Sequence, residues 1–150
     1  MVKKYKFKLE GLLKLRKLKE STLKVELGLL NKEIARVKSE IEILKSNISQ
    51  TYLEQEQVLT SSTSGQMAQF YPQFIQSKRE DISNKESLLY SLEKKYQKKL
   101  MEVNTAMGEC KIISNMKDKD FEVFKKQINK KEEDNREELL QMTRFFKGEV

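Results

Sequence analysis

Between Leu30 and Ile48 the apolar residues Leu30, Ile34, Val37, Ile41, Leu44 and Ile48 follow one another at intervals of four, three, four, three and four. This is a heptad seam with isoleucine at a and leucine or valine at d. A helix turns once per ~3.6 residues and the pattern once per ~3.5, so the stripe winds slowly round the helix. One helix cannot bury such a stripe alone. A second helix has to supply the holes for these knobs, and the first place to look is the same chain.

A second ladder exists. Ile75, Ile82, Leu89, Tyr96, Val103 and Cys110 recur every seven residues, Leu92, Ala106 and Ile113 take d positions, and Leu100 and Met107 widen the stripe. Lys78, Lys85 and Lys99 also fall at d, so this seam reads as imperfect. Between the ladders lies TSSTSGQ at 60–66, where serine and threonine compete for backbone hydrogen bonds and Gly65 permits a turn. Pro72 either opens the second helix, where its missing N–H costs nothing, or kinks it; the first is favoured. The expected fold is therefore all-α: one domain over 1–150, made of two long helices in an antiparallel coiled-coil hairpin. Helix one is expected over about 8–59, a loop over 60–71 and helix two over 72–146.

Run backward, the first register puts Leu27 and Leu13 at a and Leu23 and Leu9 at d, but also Glu20 at a and Arg16 at d. Two readings stand: these charges snorkel past the partner helix, or they loosen the coil where another protein binds. Before them, Tyr5, Phe7 and Leu9 alternate with lysines. The hairpin does not close evenly, because helix two is longer, so its last ~20–25 residues are expected to overhang. Phe124, Ile128, Leu139, Leu140, Met142, Phe145 and Phe146 fall in that overhang, which is either a docking face or a frayed, self-associating tail. Near the loop, Tyr52, Phe70, Tyr71, Phe74 and Ile75 either anchor an interface or cap the hairpin end.

Composition narrows the function classes. Charged residues make up 35% of the chain, with one proline and no tryptophan, which suits a long helix or a disordered chain; the ordered isoleucine repeat favours the helix. Residues 1–24 carry nine basic side chains against Glu10 and Glu20, so the whole excess of +7 lies there and the rest balances. One end of the hairpin is thus cationic and can attract an acidic protein surface, an anionic membrane or nucleic acid. No apolar run approaches the ~20 residues of a membrane span, and none follows the basic start as a secretory signal requires. The single Cys110 reads as a small core residue, and a cytosolic location follows. There is no histidine, the five glycines form no phosphate loop, and the carboxylates of Glu132, Glu133, Glu137 and Glu138 face water on a thin helix pair. Asp118 and Asp120 lack the other ligands of a calcium loop. No enzymatic activity, cofactor or metal is expected.

Three stretches resemble a known family. The opening YKFKLEGLLKLRKLKE is similar to the start of the flagellar export protein FliJ, often F-x-F-x-L-x-x-[VL]-L-x-x-R-x-x-x-E. Tyr5, Phe7, Leu9, Leu13, Arg16 and Glu20 occupy comparable places, with Tyr5 where phenylalanine is usual. QFYPQFIQSKREDI looks like the stretch just after that family's hairpin loop, Phe74, Ile75 and Gln76 being closest. KKEEDNREELLQM resembles its C-terminal signature, with Lys131, Glu132, Glu138 and Met142 in place, Glu137 where aspartate is usual and Leu140 where a small residue is common.

The resemblance implies an antiparallel coiled coil similar to the central-stalk gamma subunit of rotary ATPases. It implies three partners: the hexameric flagellar export ATPase, the cytoplasmic domain of the membrane export gate, and export chaperones. The ATPase contacts implied are Phe7, Leu9, Leu13, Arg16, Lys17, Lys131, Glu137, Glu138 and Met142, with Arg16 and Lys17 entering the ring beside the 131–142 helix. The gate contacts implied are Tyr52, Phe70, Tyr71, Phe74 and Ile75. The implied location is cytoplasmic, peripheral to the inner membrane at the flagellar base. Rival readings are an injectisome stalk, a structural coiled-coil adaptor, and a basic-tail binder of nucleic acid or membranes; interleaving of the lysines with Leu and Phe that the coil needs weakens the last.

Overall fold

A computed structural model describes residues 3–60 and 65–148. Two helices make up the fold: α1, Glu10–Thr60, and α2, Gly65–Phe146. They pack on one another through the expected seams, and no strand occurs among the described residues. The chain divides into two units, Thr22–Asn104 and the pair Met1–Ser21 with Thr105–Val150.

In Thr22–Asn104 the core is the predicted seam. Ile34, Val37 and Ile41 of α1 are buried with Leu92 of α2, and Leu30, Ile82, Leu89 and Tyr96 pack round them. Val37 is 0% exposed. Each aliphatic knob so buried contributes roughly 1.5–3 kcal/mol. The d-position lysines are not flaws in this seam. Lys85 donates to Glu40 at 2.6 Å and Lys99 to Glu26 at 2.8 Å, each carboxylate reaching across from α1. Their stems lie along the seam while the ammonium groups stay near water. Lys78 sits 5.2 Å from the centroid of the Phe74 ring. Polarity late in α1 is also accommodated: Thr51 is buried, and its hydroxyl donates to the Asn47 carbonyl at 2.7 Å.

The second helix begins seven residues earlier than expected, at Gly65. Pro72 lies inside it and does not open it. Its ring lacks the N–H that would reach the Ala68 carbonyl, so one bond of the ladder is missing there. A proline this near a helix start is tolerated when flanking side chains pack, and Ile75 is buried just beyond it. Of the 60–71 loop expectation, 65–71 is helical, and 61–64 lies outside the described residues.

In the other unit, Leu13 is 1% exposed and packs with Cys110 and Ile113, with Phe7 and Leu9 against them. Cys110 is the small core residue its seam position predicts. At Arg16 the geometry is that of the snorkelling reading: its Nη1 reaches across to Glu109 of α2 and donates at 2.6 Å, the side chain remaining partly exposed. Glu10 pairs likewise with Lys117 at 2.8 Å. The chain before α1 has no regular structure over 3–7, and enters the helix through a bond from the Glu10 N–H to the Phe7 carbonyl. Along it Tyr5, Phe7 and Leu9 are half-buried while Lys4, Lys6 and Lys8 are exposed, an alternation that lays one side of the arm on α2. The Tyr5 hydroxyl donates to Asp120 at 2.9 Å, and its ring lies 5.0 Å from Phe121 and 5.2 Å from Phe124. Loss of water round the phenol, then the Asp120 carboxylate, pushes the Tyr5 hydroxyl up to about 12.

That arm shortens the overhang. Phe124 and Ile128, expected to be unpartnered, are half-buried; every described residue from Asn129 onward is exposed. Gly148, at φ 69°, lets the chain turn off α2, its N–H reaching the Phe145 carbonyl at 3.2 Å.

The cross-helix pairs carry a pH dependence. Hydrogen bonding from Lys117 holds the Glu10 carboxyl below its ordinary 4.5, and bonding from Lys85 does the same for Glu40. A depressed carboxyl contributes stability above its unfolded pKa and loses it as pH falls through the folded one. The melting temperature is therefore expected to fall as pH is taken below 4.5, and to fall less in a Glu10→Gln, Glu40→Gln double variant. Thermal melts followed by circular dichroism at constant salt check this; an identical slope in both proteins would refute it.

Candidate partner-binding surfaces

The residues implied as ATPase contacts separate into two groups. Leu13 is buried and Phe7 and Leu9 are half-buried, so they hold the N-terminal arm and α1 to α2. Leu13 has no surface to offer a partner. Arg16 shares its charge with Glu109, and Lys17 is exposed beside it. Lys131, Glu137, Glu138 and Met142 are all exposed on the far stretch of α2. The expected side-by-side arrangement is not what the helices give. Arg16 faces Glu109, and Lys131 is 22 residues farther along α2, about 33 Å at 1.5 Å per residue. The unit thus presents a cationic collar and, beyond it, a bare helix.

That bare helix is amphiphilic in an unusual order. Glu132, Glu133, Asp134, Glu137 and Glu138 crowd its first half, against Lys130, Lys131 and Arg136. Leu139, Leu140, Met142, Phe145 and Phe146 follow, each more than half exposed, with the Phe145 and Phe146 rings edge to face at 6.1 Å. Among the described residues these five form a run of exposed apolar side chains with no partner helix beside it.

In Thr22–Asn104 the aromatic group is partly assembled. Phe70 is 60% exposed and stacks on Phe74 at 5.8 Å, with Tyr71 edge-on at 6.0 Å. Tyr71 and Phe74 are half-buried and Ile75 is buried. Tyr52 is exposed, its hydroxyl accepting from Arg79 at 2.6 Å. Phe70 is therefore the ring this cluster presents to solvent, while Ile75 has little surface to offer a partner.

The Tyr5 clamp escaped sequence reasoning, because its Asp120 and Phe121 partners stand more than a hundred residues away and carry no periodic signal. The exposed Leu15 escaped it too, since it falls outside the a and d positions. Among the described residues no group of three His, Cys, Asp or Glu side chains is placed to hold a metal ion. No helix there is long and apolar enough to cross a membrane.

Compared with known families, the sequence matches the one described as "Flagellar FliJ protein" over residues 5–148. The chain belongs to the FliJ family. No curated protein and no solved structure matches it. The FliJ match begins at Tyr5, the residue clamped to Asp120, and ends at Gly148, where α2 is turned off, so the arm and the bare helix both belong to the family's span. Membership of the FliJ family makes the chain a component of the flagellar export system.

Proposed function

We propose that this chain is the central stalk of the hexameric flagellar export ATPase, promoting the ring's assembly and activity and coupling it to the membrane export gate and to export chaperones. The observation that carries this reading is the family match over residues 5–148 on a chain whose two helices pack face to face. Two helices side by side, each ~10 Å across, fit the central opening of a protein ring. A two-stranded insert cannot obey sixfold symmetry, so it contacts the subunits unequally and biases which catalytic site fires next. The collar at Arg16 and Lys17 and the helix from Lys131 to Met142 would meet the ring at different depths. The Phe70–Phe74 face would meet the cytoplasmic domain of the gate, on the cytoplasmic side of the inner membrane. The stalk binds and orients; hydrolysis belongs to the ATPase.

Titrating the chain into purified export ATPase is expected to raise both hydrolysis and the hexamer fraction, saturating near one chain per six subunits. Flat hydrolysis and an unchanged hexamer fraction would remove the stalk reading. Phe74→Ala is expected to weaken binding to the gate domain about tenfold or more and to leave ATPase stimulation intact. Equal loss of both would show that the two ends are assigned wrongly.

A further inference from the structure

The N-terminal arm shows what one stretch of α2 takes hold of. The Tyr5 hydroxyl donates to Asp120 at 2.9 Å, and its ring lies against Phe121 and Phe124. Two residues earlier, and so on the same side of an extended arm, Lys3 shares a shallow hollow with Phe124 and Ile128. Asp120, Phe121, Phe124 and Ile128 thus form a seat: one carboxylate beside three apolar side chains, occupied by an extended segment that brings a ring and a hydroxyl.

The same seat is built a second time on α2. Glu138, Leu139, Met142 and Phe146 each stand 18 residues after Asp120, Phe121, Phe124 and Ile128. At ~3.6 residues per turn that is five full turns, so the second set falls on the same side of the helix, ~27 Å farther along. The chemistry is kept position by position, a carboxylate for a carboxylate and an apolar side chain for each apolar one. Glu138, Met142 and Phe146 line one hollow, so the acid does stand beside the apolar side chains. The first seat is covered by the arm. At the second, Leu139, Met142 and Phe146 are 63%, 58% and 83% exposed.

We propose that the second seat takes an extended segment of a partner protein in which a tyrosine stands between lysines, held as the arm is held. The arm is the observed occupant of this pattern, and its residues state the chemistry. A ring lies against Leu139 and Met142, and its hydroxyl donates to Glu138. The lysines on either side stay in water, as Lys4 and Lys6 do, and suit a stretch whose residues 132–138 hold five carboxylates and one arginine. A second copy of the chain is a poor source of the segment. Its arm is tied to its own seat by a short connection, at an effective concentration of ~1 mM, and a micromolar copy does not compete with that. The stalk reading gives Glu138 and Met142 to the export ATPase, and the proposal rests on that reading for the source of the segment: the ring has to offer it.

A fluorescent peptide of the arm sequence KKYKFKL, residues 3–9, titrated into the full-length chain and followed by anisotropy, tests this. Binding is expected to saturate at about one peptide per chain. Leu139→Ser with Met142→Ser should weaken it about tenfold or more, with helicity unchanged, and so should Tyr5→Ala within the peptide. Glu138→Gln in the chain and Tyr5→Phe in the peptide should each weaken it, and the two together no further than one alone, because they remove the two ends of one hydrogen bond. Absence of saturable binding would overturn the proposal. So would binding that survives Leu139→Ser with Met142→Ser and is lost with Phe121→Ser, since the peptide would then have replaced the arm at the first seat. Dimerisation of the chain that disappears with Leu139→Ser and Met142→Ser would overturn it as well, by making a second copy the occupant. ATPase stimulation is read separately: peptide binding without stimulation sinks only the stalk, and stimulation without peptide binding sinks only the seat.

Discussion

Val37→Asp is expected to unfold the Thr22–Asn104 pairing at room temperature. Val37 is 0% exposed and buried with Ile34, Ile41 and Leu92, none of which can donate a hydrogen bond to a carboxylate. The change forfeits roughly 1.5–3 kcal/mol of apolar burial and adds the cost of an unpaired buried charge, together about 5 kcal/mol or more. A domain of this size has ~5–15 kcal/mol to lose. Ile43→Asp makes the control. Ile43 is 57% exposed on the same helix, and its replacement should stay within about 0.5 kcal/mol. Urea denaturation followed by circular dichroism compares them. Equal midpoints for the two variants would mean that the seam does not hold the helices together.

Met142→Asp is expected to cut ATPase stimulation at least about tenfold while leaving the melting temperature unchanged. Met142 is 58% exposed, so the folded chain loses little packing when it is replaced, and the effect falls mainly on the partner contact. Arg16→Ala should act in the same direction. Its ion pair with Glu109 is about one-third exposed at both side chains, and such pairs contribute roughly 0–1 kcal/mol, so helicity and stability barely move. Normal stimulation by both variants, in steady-state hydrolysis assays with purified ATPase, would take the ring contact away from this end of the chain.

The parts of the fold that sequence exposes are those in which burial repeats with the helix. The stripe Leu30–Ile48 and its partner ladder Ile75–Cys110 are visible because each apolar residue lands on the same side every turn, and these are the residues found packed. The ends of α1, at Glu10 and Thr60, and the end of α2, at Phe146, fall within two residues of the expected limits for the same reason. Pro72 reads in the sequence as a boundary because proline removes one ladder hydrogen bond and its ring crowds the carbonyl four residues earlier, yet the helix continues on both sides of it. Lys85 and Lys99 looked like defects because their partners, Glu40 and Glu26, lie on the other helix. The arm from Lys3 to Leu9 has no helical period at all. Its place is decided by Tyr5 finding Asp120, Phe121 and Phe124, which no local pattern announces. Of the candidate contacts, the exposed charges were legible as surface, while Leu13 and Ile75 were not separable from it, since a family motif mixes residues that touch a partner with residues that hold the touching ones in place.

The lysines that interrupt the second seam also bias it against sliding. A shift of one heptad in one direction would set Lys85 against Asn47 instead of Glu40, and in the other would set Lys99 against Lys19 instead of Glu26; in each case the second lysine would meet Glu33, so a slip keeps one cross-helix pair and loses one. Purely aliphatic ladders repeat every seven residues and would accept either displacement with little complaint. The ammonium groups act as index pins: only one lateral alignment of these otherwise interchangeable zippers satisfies both lysines at once.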